Sequence, residues 1–350
     1  MTKDRSIAIA NIYHMLSYAY RNLQQRNYQE ITAEPFENAQ DLFAAILAKG
    51  MAVQLKRGLS RSYIEKSEPL SALKGKIDIK KSMQLKMRGN RRLFGRFDEL
   101  SENHYMNQIL KTTALCLISD SGVRRKNKDA LKKSVLFLSS VDRLEPSAIN
   151  WRSLHYHRNN ATYRMLMNIC YLVLRGLLLT TEDGTHLLAT FLDDQQMFQL
   201  YERFVLEYYK KHHDEYQPAS KQIKWDTEGA IDFLPKMESD IMLSDRASGK
   251  KLIIDTKYYK TILPTSFGAE KLRSAHLYQI FTYVKNEDHG RTGLVDGILL
   301  YAKTDEEIAL NQDYEMGGNR IGVRTLDLNM SFANIRKQLD AIVEQWVKKS

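Results

Sequence analysis

The spacing of hydrophobic and polar residues divides the first half of this 350-residue chain into predicted helices and one strand-like segment. Apolar residues recur at helical spacing in residues 7–23, 39–47, 105–118 and 126–138. Residues 53–97 are instead strand-like in places and are interrupted by Gly58, Gly75, Gly89 and Gly95. We therefore expect a mixed helical and β-rich N-terminal domain, residues 1–155, from which a segment at about 53–97 projects.

The second half alternates helices and strands. The pattern predicts helices at 161–178, 195–213, 271–284 and 331–348, and strands at 186–192, 237–243, 252–254, 297–302 and 321–326. A polar turn at 245–249 joins the second and third of these strands into a hairpin. A helix, a hairpin, a helix and a strand in that order predict an α/β (α+β) fold for a second domain, residues 156–350.

The predicted hairpin carries the most informative residues of the chain. Asp240 is followed, after fourteen residues, by Asp255-Thr256-Lys257. Pairing of the two strands would bring Asp240 close to Asp255, and side chains two apart on a strand share a face, so Asp255 and Lys257 point together. The apolar run directly before Asp255 buries the body of its strand. Two carboxylates and one ammonium therefore meet at one end of the hairpin.

This trio suits metal-dependent hydrolysis of a phosphodiester. Mg²⁺ prefers carboxylate oxygens and keeps several waters, so Asp240 and Asp255 would bind one or two ions, with the Thr256 backbone carbonyl as a third ligand. Lys257 would orient or deprotonate a water and offset charge on the phosphate. The alternative is a surface hairpin with an ordinary Asp–Lys pair, since D-x-K occurs by chance in many proteins.

Two flanking helices offer further candidates. Gln279 and Tyr283 are four residues apart and share a helix face; alone they would be an amide and a phenol beside a buried stripe. Placed after D-x-K, the pair resembles the Q-x-x-x-Y helix of RecB-like nucleases, which implies a position near the active site and contact with DNA. Glu202 and Glu207 flank the apolar stripe of helix 195–213. PD-(D/E)xK nucleases often take one more acidic ligand from such a helix; we favour Glu202 over Glu207, and the alternative is a solvated charge.

Charge is unevenly distributed. The net charge is +10 and the pI about 9.3, which favours a polyanionic partner. Between Lys74 and Arg96, nine basic residues stand against a single acid, Asp78. The candidate contact residues there are Lys74, Lys76, Arg88, Arg91, Arg92 and Arg96. A solubilising face would explain scattered charge, but a local excess of eight basic residues within twenty-three argues against it here. Binding to DNA phosphates and docking into an acidic partner are the two functional explanations, and sequence does not separate them.

Several motifs are absent from the sequence. Cys116 and Cys170 lie in apolar helical stretches and predict buried free thiols rather than a disulfide or metal pair. No G-x-x-x-x-G-K-[ST] motif occurs, so we expect no nucleotide to be bound through a P-loop. No base-reading module is recognisable. Without a membrane-spanning apolar stretch or a signal peptide, the chain is expected to be cytoplasmic.

Sequence blocks along nearly the whole chain resemble the McrC family. These are N-I-Y-H-M-L-S-Y-A at 11–19, G-K-I-D at 75–78, F-D-E-L at 97–100, N-Q-I-L-K at 107–111, M-E-S-D-I at 237–241 and D-T-K-Y-Y at 255–259. D-x-K is generic to PD-(D/E)xK nucleases, whereas the opening block and the K-Y-Y extension are specific to this family. The resemblance implies a restriction-endonuclease-like core in residues 156–350 and an N-terminal projection that enters the pore of a hexameric McrB-like AAA+ GTPase.

The resemblance also implies a function. The chain would be the Mg²⁺-dependent endonuclease subunit of a GTP-driven restriction complex and would stimulate its partner's GTPase. The substrate would be double-stranded DNA with modified cytosine, such as 5-methylcytosine, recognised by the partner. One alternative is a non-catalytic assembly or activator subunit of an AAA+ NTPase. A second is a stand-alone RecB-like nuclease, which would cleave DNA without a partner.

Overall fold

The computed structural model describes residues 3–4, 7–20, 23, 28, 31, 34, 36, 38–72, 74–156, 161–178, 194–228, 232–259, 265–266, 269–303 and 309–348. The chain forms two compact units. One comprises Met1–Leu42 with Glu182–Ser350, and the other comprises Phe43–Thr181. Within the described ranges, no helix is long and apolar enough to cross a membrane.

The principal elements are numbered in chain order. The helices are α1 (Ile9–Ala19), α2 (Ala39–Arg57), α3 (Ile79–Met87), α4 (Tyr105–Ser119), α5 (Arg125–Leu136), α6 (Ala161–Leu178), α7 (Asp194–His212), α8 (Ser274–Glu287) and α9 (Phe332–Lys348). The strands are β1 (Ser62–Leu70), β2 (Lys76–Ile77), β3 (Leu93–Ser101), β4 (Ala219–Ile223), β5 (Met237–Ser244), β6 (Lys251–Lys257), β7 (Val295–Lys303), β8 (Asn311–Met316) and β9 (Asn319–Asp327). Two pairs of two-residue strands, Lys3–Asp4 with Ile7–Ala8 and Thr265–Ser266 with Ala269–Glu270, are also present.

The unit of residues 43–181 carries a three-stranded antiparallel sheet in the order β1-β3-β2. Helix α3 follows β2, and Asp78 caps it by accepting a 3.0 Å hydrogen bond from the Lys81 amide. Gly75 has a φ of +68°, and a Cβ there would lie 2.3 Å from the Arg96 carbonyl oxygen, so β2 can approach β3 only with glycine at this position. Helices α4, α5 and α6 pack together around buried residues such as Ile109 and Leu131.

The other unit is built on a six-stranded mixed sheet in the order β8-β9-β7-β6-β5-β4. β7 pairs in parallel with both β6 and β9, and the remaining pairs are antiparallel. Helix α8 covers one face of the sheet, where Ile280 and Val284 pack on Ile253 and Leu299. Gly297 permits this close approach, because a Cβ there would lie 2.7 Å from a methyl of Val284. The α8 helix is thereby fixed beside the C-terminal end of β6.

The division into units differs from the predicted boundary near residue 155. Helix α1 packs on α7, with the rings of Tyr18 and Phe204 5.6 Å apart. The Asn11 side chain also donates hydrogen bonds to the carbonyl oxygens of Leu328 and Met330, at 2.7 and 2.8 Å. The apolar face of α1 thus belongs to the C-terminal sheet unit, and α6, predicted to open the second domain, packs on α4 instead.

Most predicted elements are present, with corrections in the projection. The helix predicted at 39–47 continues to Arg57, because Met51 and Gln54 extend its buried face, so the β-rich segment begins at Ser62 rather than at residue 53. Helix α3 was not predicted within that segment. Neither β4 nor β8 was predicted; both are edge strands of polar sequence, which lack the apolar pattern of central strands. The strand predicted at 186–192 lies outside the described residues. Cys116 and Cys170 are free cysteines, as predicted, but only Cys170 is fully buried, whereas Cys116 is half-buried.

Candidate active site

The hairpin strands β5 and β6 pair over only part of their length. Their register runs from Ser244 opposite Lys251 to Ile241 opposite Ile254 and ends there. Beyond this point the Asp240 side chain bridges the gap: its Oδ2 accepts hydrogen bonds from the Thr256 backbone N–H and from the Thr256 hydroxyl, both at 2.7 Å. The strands therefore separate at the point where their acidic residues lie, and Asp240 and Asp255 come together as the hairpin spacing predicted.

Asp255 and Lys257 form a buried ion pair at the end of β6. The two residues are 1% and 6% exposed, and Lys257 Nζ lies 2.6 Å from Asp255 Oδ2. Lys257 is the cation at this oxygen, and no other donor among the described residues forms a hydrogen bond to it. Burial of a carboxylate oxygen without full hydrogen bonding is costly. Asp255 is thus a buried acceptor with unused capacity.

Helix α8 supplies the second contact of the lysine. Lys257 Nζ donates to Gln279 Oε1 at 3.0 Å, and Gln279 Nε2 donates to the Tyr283 hydroxyl at 2.9 Å. The spacing of four residues places both side chains on one helical face, as expected from the sequence. A continuous chain of polar contacts therefore runs from Tyr283 through Gln279 and Lys257 to Asp255.

The acidic groups of the site are electrostatically strained. Burial raises the pKa of Asp255 to about 6; Lys257 opposes this rise and the charge of Asp240 adds to it. Burial also raises the pKa of Asp240, against the hydrogen bonds from Thr256 that lower it. Burial, followed by the charges of Asp240 and Asp255, raises the pKa of Glu202 to about 7. Negative charge therefore exceeds what the single ammonium of Lys257 compensates.

These donors fit a hard cation such as Mg²⁺. Both hydrogen bonds that the described residues make to Asp240 use Oδ2, so Oδ1 is the oxygen offered to a cation, and Asp255 adds a second buried carboxylate beside it. Among the described residues, no group of three or more Asp, Glu, His or Cys side chains is close enough to form a complete metal site. Mg²⁺ is typically bound by one or two carboxylates, while water and phosphate hold its remaining coordination positions. The role of the Thr256 carbonyl stays a prediction.

The two candidate glutamates of α7 have different surroundings. Glu207 forms a 2.8 Å ion pair with Lys210. Burial raises the pKa of Glu202, and the nearby charges of Asp240 and Asp255 raise it further. Of the two glutamates, Glu202 is therefore the one whose pKa responds to the aspartates. Among the described residues, however, the three carboxylates do not lie close enough together to form a metal-binding group.

Sequence reasoning missed a buried layer beside the trio. His276 Nδ1 lies 2.8 Å from the Tyr301 hydroxyl, and the Tyr259 and His276 rings are 4.9 Å apart. Burial, with the charges of Lys257 and Arg273, lowers the pKa of His276 to about 4, so the imidazole is neutral near pH 7. The available signal was helical periodicity: His276 lies three residues before Gln279, on the same side of α8.

The basic residues predicted to contact a partner or DNA lie in the other unit. Those residues, Lys74, Lys76, Arg88, Arg91, Arg92 and Arg96, are all exposed. Arg96 pairs with Glu65 at 3.3 Å and with Asp78 at 3.8 Å, while Lys74 lies 3.8 Å from Glu99. For Arg88, Arg91 and Arg92 no acidic partner is found in the described part of the chain. The uncompensated charge therefore lies near the end of α3 and the turn into β3.

Comparison with known proteins reveals relatives over nearly the full length. Residues 2–302 match the family described as "McrBC 5-methylcytosine restriction system component". The chain is also similar to the protein "Type IV methyl-directed restriction enzyme EcoKMcrBC" of Escherichia coli (strain K12). The two are 27% identical over 347 residues, which cover 98% of this chain and 99% of that protein.

Solved structures give weaker matches. One is the refined half-complex from a tetradecameric assembly of Thermococcus gammatolerans McrB AAA+ hexamers with bound McrC, with a TM-score of 0.48, 16% identity, and coverage of 95% of this chain and 76% of that one. A second is the cryo-EM structure of the T. gammatolerans McrBC complex, with a TM-score of 0.40, 19% identity, and coverage of 57% and 56%. On the match to residues 2–302, the chain belongs to the McrBC 5-methylcytosine restriction system component family.

Proposed function

We propose that this chain is the Mg²⁺-dependent DNA endonuclease subunit of a restriction complex that acts on DNA with modified cytosine. The observation that carries the proposal is the buried arrangement of Asp240, Asp255 and Lys257 where β5 and β6 separate. Helix α7, the β5–β6 hairpin, helix α8 and strand β7 are the order expected of a PD-(D/E)xK nuclease core. Membership of a restriction-system family supports the same conclusion.

Each side chain of the site has a proposed task. Asp240 and Asp255 would hold one or two Mg²⁺ ions, with the Thr256 carbonyl as a further ligand and Glu202 as the acid reaching in from α7. When bound, Mg²⁺ would supply Lewis acidity at the scissile phosphate. The hydrogen bonds from Thr256 fix the orientation of Asp240, and the ion pair with Lys257 fixes that of Asp255.

Lys257 is proposed to act on the attacking water and on the phosphate. Its ammonium is held between Asp255 Oδ2 and Gln279 Oε1, so two of its three N–H directions are fixed and one remains for substrate. From there it would orient the water and offset negative charge on the phosphate oxygens. Gln279 and Tyr283 would keep the ammonium in place, and their outer edges would face the DNA.

The proposed partner is an McrB-like AAA+ GTPase hexamer. It would bind and hydrolyse the nucleotide and would recognise the modified cytosine in double-stranded DNA. This chain would stimulate that hydrolysis and cleave the DNA. Family membership and the similarity to a methyl-directed restriction enzyme of E. coli support the modified substrate, and the resemblance to the McrC family supports the GTPase partner.

The projection of residues 62–101 is proposed to bind this partner rather than DNA. Three apolar side chains spaced by four residues along α3 face solvent: Ile79 is 69% exposed, Met83 is 61% exposed and Met87 is 86% exposed. An exposed apolar stripe beside cations favours a protein surface, because DNA phosphates would leave the apolar side chains in water. The unpaired charges of Arg88, Arg91 and Arg92 would then meet acidic groups of the partner.

A cleavage assay with and without the partner tests this function. Plasmid DNA carrying 5-methylcytosine should be cut when the chain, the GTPase, GTP and Mg²⁺ are all present. Replacing Mg²⁺ by Ca²⁺ should preserve DNA binding and stop cleavage, because Ca²⁺ coordinates loosely and activates water poorly. Cleavage by the chain alone would support a stand-alone nuclease instead. GTPase stimulation without any cleavage would support a pure activator.

A further inference from the structure

A buried hydrogen bond joins helix α8 to strand β7 beside the candidate site. His276 Nδ1 lies 2.8 Å from the Tyr301 hydroxyl, and the two residues are 7% and 0% exposed. The His276 ring also lies 4.9 Å from the ring of Tyr259, which follows Lys257 by two residues. Burying two polar groups costs free energy unless they bond to each other, as they do here. Neither side chain has a task in the proposed hydrolysis.

The register of the sheet places Tyr301 next to Lys257. Strands β6 and β7 are parallel, and Tyr301 is the partner of Lys257 in their register. Neighbouring strands lie about 4.8 Å apart, and paired residues direct their side chains to the same face of the sheet. Here that face is the one covered by α8, since side chains of α8 bond to both residues. The phenol ring of Tyr301 is therefore the lateral neighbour of the lysine side chain.

Two residues of α8 thus hold two neighbouring residues of the sheet. His276 bonds to Tyr301 on β7. Gln279, three positions further along α8, accepts the hydrogen bond of the Lys257 ammonium at 3.0 Å. Residues three apart lie on one side of a helix, so both contacts hold the same side of α8 against the sheet. The first contact thereby helps to set the distance across which Gln279 reaches the lysine.

The protonation of the pair suits a position beside an ammonium. Burial, and then the charge of Asp255, raise the pKa of Tyr301, so its hydroxyl keeps the proton. Burial, with the charges of Lys257 and Arg273, lowers the pKa of His276 to about 4, so the imidazole is neutral near pH 7. Among the described residues the hydroxyl has no second acceptor, so it donates to Nδ1. The bond therefore adds no charge that would repel the lysine.

We propose that the hydrogen bond between Tyr301 and His276 positions the ammonium of Lys257. By fixing α8 against β7, the bond keeps Gln279 Oε1 at 3.0 Å from Lys257 Nζ and so holds the ammonium on Asp255 Oδ2, 2.6 Å away. Tyr301 and His276 are thus positioning residues that act through the lysine. The effect on cleavage rests on the proposed endonuclease function, whereas the effect on the lysine can be measured without DNA.

Chemical labelling of Lys257 in the full chain tests the positioning directly. The chain is treated briefly with acetic anhydride in EDTA, and acetylation is measured by mass spectrometry relative to the exposed Lys80. Tyr301→Phe removes only the hydroxyl and should raise the labelling of Lys257 roughly fivefold, the effect expected for one buried hydrogen bond. His276→Leu should do the same. His276→Asn keeps an acceptor close to the position of Nδ1 and should retain most of the protection.

The matched control is Tyr209→Phe. Tyr209 is a fully buried tyrosine of the same unit, and its hydroxyl donates a hydrogen bond to the Leu339 carbonyl oxygen at 3.2 Å, between α7 and α9. The variant loses the same kind of hydrogen bond and should leave the labelling of Lys257 unchanged. Unchanged labelling in Tyr301→Phe would overturn the proposal. An equal increase in both variants would also overturn it, since it would mean a general loosening of the fold.

Cleavage by the complete complex gives a second readout. Tyr301→Phe should lower kcat for methylated DNA roughly 3- to 10-fold with little change in KM, because the buried hydroxyl acts through the lysine rather than on the DNA. His276→Asn should keep most of the natural kcat, and Tyr209→Phe should keep all of it. A full kcat in Tyr301→Phe would overturn the positioning role.

The two ideas fail in different ways. If Asp255→Asn still cleaves, the proposed active site is wrong whatever the labelling shows. If Asp255→Asn is inactive while Tyr301→Phe changes neither the labelling of Lys257 nor kcat, only the positioning role is wrong.

Discussion

One oxygen of Asp240 accepts two hydrogen bonds from Thr256, from its backbone N–H and its hydroxyl, each 2.7 Å long. The carboxylate takes the place of a ladder hydrogen bond that the separating strands no longer make. This contact fixes the orientation of Asp240 and leaves Oδ1 for another ligand. Thr256, between the two residues of D-x-K, thus has a side-chain task that the sequence did not reveal.

The first prediction concerns that contact. Thr256→Val should raise the Mg²⁺ concentration needed for half-maximal cleavage roughly 10-fold, because Asp240 would keep only the backbone hydrogen bond. Thr256→Ser keeps the hydroxyl and should behave as the natural chain does. Cleavage rates measured across a Mg²⁺ titration decide the matter. Identical Mg²⁺ dependence in the valine and serine variants would show that the hydroxyl contributes nothing.

The second prediction concerns Gln279. Gln279→Leu should lower kcat for DNA cleavage with little change in KM, because the Lys257 ammonium loses the acceptor that holds it 3.0 Å away. Tyr278→Phe is the matched control on the same helix, since Tyr278 is 70% exposed and faces solvent. Steady-state kinetics of both variants in the complete complex measure kcat and KM separately. A full kcat in Gln279→Leu would exclude a positioning role.

The third prediction is a stability change with a defined sign. The pKa of Asp255 is raised to about 6 in the folded chain, so the unfolded state releases its proton at lower pH. Between the unfolded value, about 4, and pH 6, stability therefore falls as pH rises, and the penalty is complete above pH 6. In EDTA at pH 8, Asp255→Asn should raise the free energy of unfolding by roughly 1–3 kcal/mol. Denaturant titrations of the natural chain and the variant at pH 4 and pH 8 measure this difference in the free energy of unfolding.

Asp288 provides the opposite control. Burial alone would raise its pKa, but hydrogen bonds from Thr292, Asn319 and Gly293 outweigh it and lower the pKa to about 2. Asp288→Asn should therefore destabilise the chain at pH 8.

Added Mg²⁺ should stabilise the natural chain more than it stabilises the Asp255→Asn variant, because a ligand that binds only the folded state adds stability. A destabilised Asp255→Asn in EDTA would contradict the account of a strained acid.

The fourth prediction concerns the projection. Reversing Arg88, Arg91 and Arg92 to Glu should prevent assembly with the GTPase and its stimulation, while both units of the chain stay folded. Met83→Ser with Met87→Ser should weaken assembly as well, because the stripe on α3 is apolar. Size-exclusion chromatography with the partner measures both. Normal assembly of the charge-reversed chain with weaker DNA binding would assign the segment to DNA.

Arg125→Glu with Lys132→Glu is the matched control. Both residues are exposed cations on α5, outside the projection. The variant reverses two charges rather than three and should assemble normally. Failure of this variant to assemble would show that overall charge, rather than the projection, governs the interaction.

The predictable part of the fold was the part dictated by local periodicity. The hairpin, α8 and α9 followed from apolar spacing, and the meeting of Asp240 with Asp255 followed from strand pairing. The edge strand β8 could not be found, since its sequence Asn311–Met316 is polar and its residues are almost all exposed. The packing of α1 on α7 was also hidden, because an apolar helical face does not specify which distant surface covers it.

The residues of the candidate site could be predicted from the sequence, but most contacts between their side chains could not. D-x-K and an upstream Asp at hairpin distance identified the trio, and a four-residue interval identified Gln279 and Tyr283. Contacts between side chains of separate elements, such as His276 with Tyr301, depend on the tertiary packing of α8 on β7. A periodicity search along α8 would have included His276, three residues before Gln279.

The central claim is that DNA cleavage depends on the carboxylate of Asp255. The most direct measurement is the cleavage rate of methylated DNA by Asp255→Ala in complex with the GTPase, with GTP hydrolysis followed in the same reaction. Cleavage should fall by roughly a thousandfold or more, while assembly and GTP hydrolysis remain normal. Cleavage at the natural rate by the purified Asp255→Ala complex would contradict this claim.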